Sequence, residues 1–167
     1  MRWFWKRRDP PTHKVLTPKS PEAKKIINVL TNTIPQATKI AELIGKGWIV
    51  IHLMNRAGFL AERKEQYPGC FLRRWGTMAW ACGNHIFVPD NKHLHRLVVH
   101  EGGHAILSIE GRSDWYYKKW GWLKVGRAKE EDEVRRVERE FLKATRKRWL
   151  WLKWFCDKMD VLLGYYI

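Results

Sequence analysis

With 167 residues, 45% of them hydrophobic, the chain is long enough for one domain around one core and too apolar to be disordered. Its formal net charge of +15 favours polyanions and acidic surfaces as partners. The scattered cysteines Cys70, Cys82 and Cys156 exclude a disulfide framework and a CxxC zinc knuckle, and read as reduced, mostly buried thiols.

Residues 1–19 read as a basic N-terminal arm, in which Pro10, Pro11 and Pro18 prevent a continuous helix. Residues 20–167 then form one domain. Ser20-Pro21-Glu22 is a helix start, with a capping Ser, Pro in the first turn and an acid behind it. Ile26, Ile27 and Leu30 give that helix an apolar face, and Pro35 ends or restarts it. A second helix runs from Gln36 to Ile44 and stops at Gly45 and Gly47. Trp48 to Leu53 is a buried strand by its β-branched content, followed by a charged loop through Arg63, Lys64, Glu65 and Pro68-Gly69. Thr77 to Cys82 and His85 to Val88 are two more strands, joined at the turn pair Gly83-Asn84.

Lys92 to Ile109 is helical in pattern, with Leu94, Val98, Ala105 and Ile109 on one face, and Gly111 ends it. A loop rich in Trp and Tyr spans Asp114 to Val125. A long helix begins near Ala128, with Val134, Val137, Phe141 and Ala144 on one stripe. Its first turns carry an acidic cluster, while Lys143 to Lys153 holds five cations and no acid. The tail interrupts its apolar positions with Lys153, Asp157, Lys158 and Asp160, so no run is long enough to span a bilayer. The apolar stretch at the start is too short for a signal peptide. A soluble, cytoplasmic protein is expected.

The chemistry centres on His100-Glu101-Gly102-Gly103-His104. Imidazoles four residues apart lie on one helix face, one turn apart, and can share a zinc ion. Glu101, about 100° round the helix from His100, can reach a metal-activated water as general base without being a ligand. The His pair points away from the Leu94/Val98/Ala105/Ile109 stripe, towards a cleft. Two mid-helix glycines each cost about 1 kcal/mol relative to Ala. Gly102 falls on the core face, which predicts close approach by a neighbouring element.

A strand, then an HExxH helix, then a second helix bearing a Glu resembles the zincin metallopeptidases, and within them the gluzincins. Glu131-Asp132-Glu133-Val134-Arg135, with Val137 and Phe141, resembles the third-ligand helix of the small ImmA/IrrE-type and phage-encoded metallopeptidases. The similarity covers about Thr77 to Leu142. It implies an α+β, minimal zincin-like fold: N-terminal helices, a small mixed β-sheet, an active-site helix and a long C-terminal helix. It further implies Zn²⁺ as cofactor, Glu131 as third ligand beside His100 and His104, and peptide or protein as substrate. Val134, Val137 and Phe141 would fill the apolar positions of that helix. Arg135 stands where the family has Asn or Asp, which leaves Glu130 and Glu133 as alternatives to Glu131. The metzincin continuation after His104 is absent, and Cys82-Gly83 does not reproduce the deformylase cysteine motif. A short Trp-rich chain with such a minimal motif would suit a virus or mobile element.

Other residues read as less specific. His93 is too far along the helix to share an ion with His100, and His95 is expected at the surface. His85 is a strand histidine, although in zincin-like folds that strand pairs with substrate, through Ile86 and Phe87 here. Tyr116 and Tyr117, with Trp115, Trp120 and Trp122, form an aromatic lid or supply an oxyanion donor. The tail Arg146 to Phe155 mixes cations and aromatics; it packs on the domain or meets an anionic surface or nucleic acid. Against the zinc peptidase stands a second reading: a basic, Trp-rich module that binds nucleic acid or anionic surfaces, with HEGGH structural or inactive.

Overall fold

The computed structural model describes residues 10–66, 78–112 and 125–145. They form five helices and a four-stranded mixed sheet, an α+β arrangement. The strands are β1 (His13–Leu16), β2 (Val50–Met54), β3 (Trp80–Cys82) and β4 (His85–Pro89), in the order β1-β2-β4-β3. Only β2 and β4 run parallel; both outer pairs are antiparallel. The helices are α1 (Pro21–Thr31), α2 (Pro35–Gly45), α3 (Arg56–Gln66), α4 (Leu94–Ile109) and α5 (Val125–Ala144).

The local signals explain most boundaries. The Ser20 side chain accepts from Ala23 N, with Pro21 in the first turn of α1. Pro35 restarts the chain as α2. Gly47 and Gly111 take left-handed φ of 74° and 67°, where side chains are disfavoured, just past α2 and α4.

Two expectations change. The segment read as a charged loop after β2 begins with α3. Asn55 caps that helix, its Oδ1 accepting from Gly58 N at 2.8 Å. The same oxygen accepts from Thr12 N at 3.0 Å, and Asn55 Nδ2 donates to the Pro10 carbonyl at 2.7 Å. This clamp carries the second change: the arm does not stop short of the domain, because residues 13–16 enter the sheet as an edge strand.

The sheet has two different faces. Ile51, Leu53, Ile86 and Val88 turn into the main core with α1, α2 and α4. Met54, Phe59 and Trp80 make a smaller cluster, with Phe87 against it. On α4 the buried face is broader than the expected stripe: Leu97, Val98, Val99 and Ala105 are buried, whereas Ile109 is exposed. On α5, Val134, Val137 and Phe141 are buried as expected, and Ala144 is exposed. Cys82 is exposed and free rather than buried; Cys70 and Cys156 lie outside the described residues.

The two mid-helix glycines let α4 be approached on two sides. A Cβ at Gly102 would meet Ile40 Cγ2 of α2 at 2.8 Å. A Cβ at Gly103 would meet Val134 Cγ2 and Cγ1 of α5 at 3.1 and 3.2 Å. Val134 is buried and β-branched, so its χ1 has little freedom to turn away. Gly103→Ala should therefore push α5 outward, and the damage should be relieved when Val134 is also shortened. In a thermal or denaturant double-mutant cycle, Gly103→Ala should cost less in a Val134→Ala background, with a coupling of about 0.5–3 kcal/mol.

Candidate metal centre

The motif lies wholly within α4, and α5 packs along it. His100 and His104 project from α4 with ring centroids 5.2 Å apart. Glu131 lies on the part of α5 that faces them. One ligand atom from each of His100, His104 and Glu131 falls within 4.8 Å of the others, a spacing a metal ion could bridge. His104 Nε2 is 3.1 Å from Glu131 Oε2, and His100 Nε2 is 3.5 Å from Glu131 Oε1.

The far nitrogens are equally engaged. His104 Nδ1 lies 2.8 Å from Glu130 Oε1, and His100 Nδ1 lies 3.1 Å from Glu138 Oε2. Glu138 in turn accepts from Arg96 Nε of α4. Arg135 Nε donates to Glu131 Oε1 at 2.6 Å. Each imidazole is thus oriented by a carboxylate on Nδ1 and turns Nε2 towards Glu131. A carboxylate behind an imidazole fixes its tautomer and raises its basicity as a metal ligand.

The three acids weighed at the start of α5 separate by position. Glu131 is the one facing both Nε2 atoms. Glu130 stands behind His104, and Glu133 pairs with Arg112 Nη2 at 3.0 Å. Arg135, the departure from the family pattern, binds the Glu131 carboxylate; the carboxylate on the His100 Nδ1 comes from Glu138, one helical turn further on. Glu138 and Arg96 were not singled out from the sequence. The available signal was that Glu131 and Glu138 are seven residues apart, hence on one helix face two turns apart.

Burial sets the electrostatics. Glu138 is only 2% exposed, so breaking its pairing would cost about 3–5 kcal/mol. Glu101 is 6% exposed, and this burial pushes its carboxyl pKa up, against the pull of His100 and His104. For His104 burial works downward, but the hydrogen bonds to Glu130 and Glu131 prevail and raise its pKa to about 10. Burial likewise opposes ionisation of Glu131, yet the bond from His104 and the charges of His100, His104 and Arg135 hold it well below the usual carboxylate range.

Other candidate residues are not drawn in. β4 lies between β2 and β3, so its Ile86 and Phe87 already pair with neighbouring strands and are not open to an extended substrate. His85 turns to the sheet face that carries His52. His95 is partly buried rather than at the surface, and His93 precedes the first turn of α4. Tyr116, Tyr117, Trp115, Trp120, Trp122 and the tail from Arg146 to Phe155 lie outside the described residues. Among the described residues, no helix is long and apolar enough to cross a membrane.

No family model, curated protein or solved structure matches this chain.

The raised pKa of His104 has a consequence for the metal-free protein. A group whose folded pKa lies above its unfolded value adds stability below the unfolded pKa and loses it as pH rises through the folded one. After chelator treatment, wild type should hold its full advantage over His104→Gln below about pH 6.5 and lose it progressively towards pH 10. Melting temperatures of both proteins across that range check the sign; an advantage that grows with pH would contradict it.

Proposed function

We propose that the chain is a zinc-dependent metallopeptidase, with His100, His104 and Glu131 as the ligands and Glu101 as the general base. The observation that carries this reading is the convergence of two Nε2 atoms and one carboxylate, with a further carboxylate behind each imidazole. That donor set suits zinc: two imidazoles and a carboxylate, leaving a fourth position open. Zinc bound there supplies a Lewis acid for a carbonyl oxygen and makes water acidic enough to react near neutral pH.

The chain's own groups do the rest. Glu130 and Glu138 would hold the ring protons on Nδ1, so that metal binding would displace the second proton of His104 from Nε2 rather than rearrange its tautomer. Arg135 holds Glu131 Oε1, the oxygen 3.5 Å from His100 Nε2, while Oε2 faces His104 Nε2. The carboxylate of Glu101 accepts the proton of the attacking water and returns it to the leaving amine. Its raised pKa makes it the stronger base for that transfer. Peptide, rather than another acyl substrate, is taken from the resemblance of the motif and its helix order to the zincins.

One observation favours the second reading, a basic binding module with an inactive HEGGH. Arg135 and His104 already satisfy Glu131 without any ion. A site balanced by its own cations can persist as structure alone, while the formal charge of +15 draws anions to the surface.

Elemental analysis separates the two. On the peptidase reading, the protein retains about one zinc per chain through dialysis against a weak chelator, which would strip ions held by only one or two histidines. His100→Ala and Glu131→Ala lose it, Glu133→Ala keeps it, and Glu101→Gln keeps it while losing peptide turnover. Failure of the wild type to take up zinc would leave the binding module, whose affinity for nucleic acid should fall steeply with salt and be indifferent to Glu101→Gln.

The carboxylate behind His100 gives a finer test. Glu138→Gln should retain the site but weaken zinc about 10–100-fold in competition with a chromophoric chelator. Unchanged affinity would deny Glu138 any part in orienting His100.

A further inference from the structure

The face of the sheet turned away from α4 carries a row of three imidazoles that the chemistry above does not use. His13 of β1, His52 of β2 and His85 of β4 come from segments far apart in the chain. His13 Nε2 lies 2.8 Å from His52 Nδ1, and His52 Nε2 lies 2.8 Å from His85 Nδ1. The register places them there. Val15 is opposite His52, and Val50 is opposite His85, so the three residues run diagonally across one face. Phe87 stacks on the His52 ring at 4.2 Å and 16°, and Trp80 stacks on Phe87 at 5.1 Å and 11°. The central ring is thereby held in place by an aromatic layer, while His13 and His85 are exposed.

Imidazole is the protein ligand best suited to late first-row divalent metals. Two imidazoles serve as adjacent ligands when their nitrogens are about 2.9–3.4 Å apart, given metal–nitrogen bonds of about 2.0–2.1 Å at right or tetrahedral angles. The gaps of 2.8 Å on either side of His52 are hydrogen-bond contacts, and an outer, exposed ring would exchange one of them for the ion by turning its nitrogen out of line with the bond. We propose that this row is a second metal site, in which His52 and a neighbouring imidazole bind a divalent ion of the nickel, copper and zinc class, with water completing the shell. Burial, then the charges of His13 and His85, hold the His52 pKa below its ordinary value. The two outer histidines approach opposite nitrogens of His52, so they offer two alternative pairs that share one ring. The site lies across the sheet from α4 and is independent of the peptidase reading.

Nickel is the probe, titrated by calorimetry into chelator-treated His104→Gln protein, in which the site on α4 is disabled. One Ni²⁺ should bind per chain. Adding His52→Gln should weaken it by more than about tenfold, because losing a ligand costs at least as much as the roughly 10–100-fold effect of losing a group behind one. His13→Gln or His85→Gln should do the same, the sensitive one marking the pair in use. Both outer residues are exposed, and the melting temperature of each variant confirms that it is folded. No uptake by the parent, unchanged affinity in His52→Gln, or unchanged affinity in both outer variants overturns the proposal.

Discussion

The close approach of α5 to α4 is the constraint on which the candidate site depends. Gly103 removes the side chain that would hold the helices apart, and Val134 fills the space against it. Glu130 and Glu131 lie just before Val134 on α5, and Glu138 one turn beyond it. The apolar contact thus sets the distance at which the acids meet the imidazoles of α4. A methyl group at position 103 would act directly on packing and only indirectly on charge. The sensitivity of such a site is then mechanical: hydrogen-bond geometry at 2.8–3.1 Å tolerates little of the displacement that a core can otherwise absorb.

That approach concentrates charge where water is scarce. Glu101, Glu130, Glu131 and Glu138 face two guanidiniums, Arg96 and Arg135, and two imidazoles. With neutral rings and ionised acids, the cluster carries two surplus negative charges. Buried charge must be compensated, and protons or a dication can each do so. In the protein alone the compensation falls on protons, which is why His104 is raised to about 10 and burial lifts Glu101. A dication would replace those protons, consistent with the general coupling between metal binding and proton release. The same charge count therefore underlies both the proton affinity of the network and, on the proposed reading, its capacity to hold zinc.

Legibility in the sequence followed the range of the interaction. His100, Glu101 and His104 were readable because their geometry is fixed within one helix. The α+β class and most elements followed from caps, prolines and apolar periodicity. α3 was missed because its charge drew more notice than its helix-favouring composition and the Asn55 cap. β1 was missed because a four-residue strand with a polar pattern exists only by pairing with β2. The acids of α5 needed the angular setting of one helix on another, and a run of near-continuous charge does not show which members face inward. Nothing in the sequence marks Glu138 off from its charged neighbours, yet it is 2% exposed. The histidine row was further out of reach, since it depends on the register of three strands at once.

Sheet order also bears on how a substrate would reach the site. The sequence suggested β4 as the strand that meets an extended peptide, but β4 is interior, flanked by β2 and β3. Among the described residues, β3 is the outer strand on that side, and its Trp80–Cys82 segment lends three residues to a pairing edge. Backbone pairing along so short an edge supplies few hydrogen bonds, so side-chain contacts would have to carry more of the selectivity. Arg135 acts within the same limits at the centre. By binding Glu131 Oε1 it fixes the carboxylate whose Oε2 meets His104 Nε2, so an ion held here would find that carboxylate already oriented. The residue that breaks the family pattern is, on this geometry, compatible with the function that the pattern implies, because it constrains the ligand carboxylate from the side away from His104.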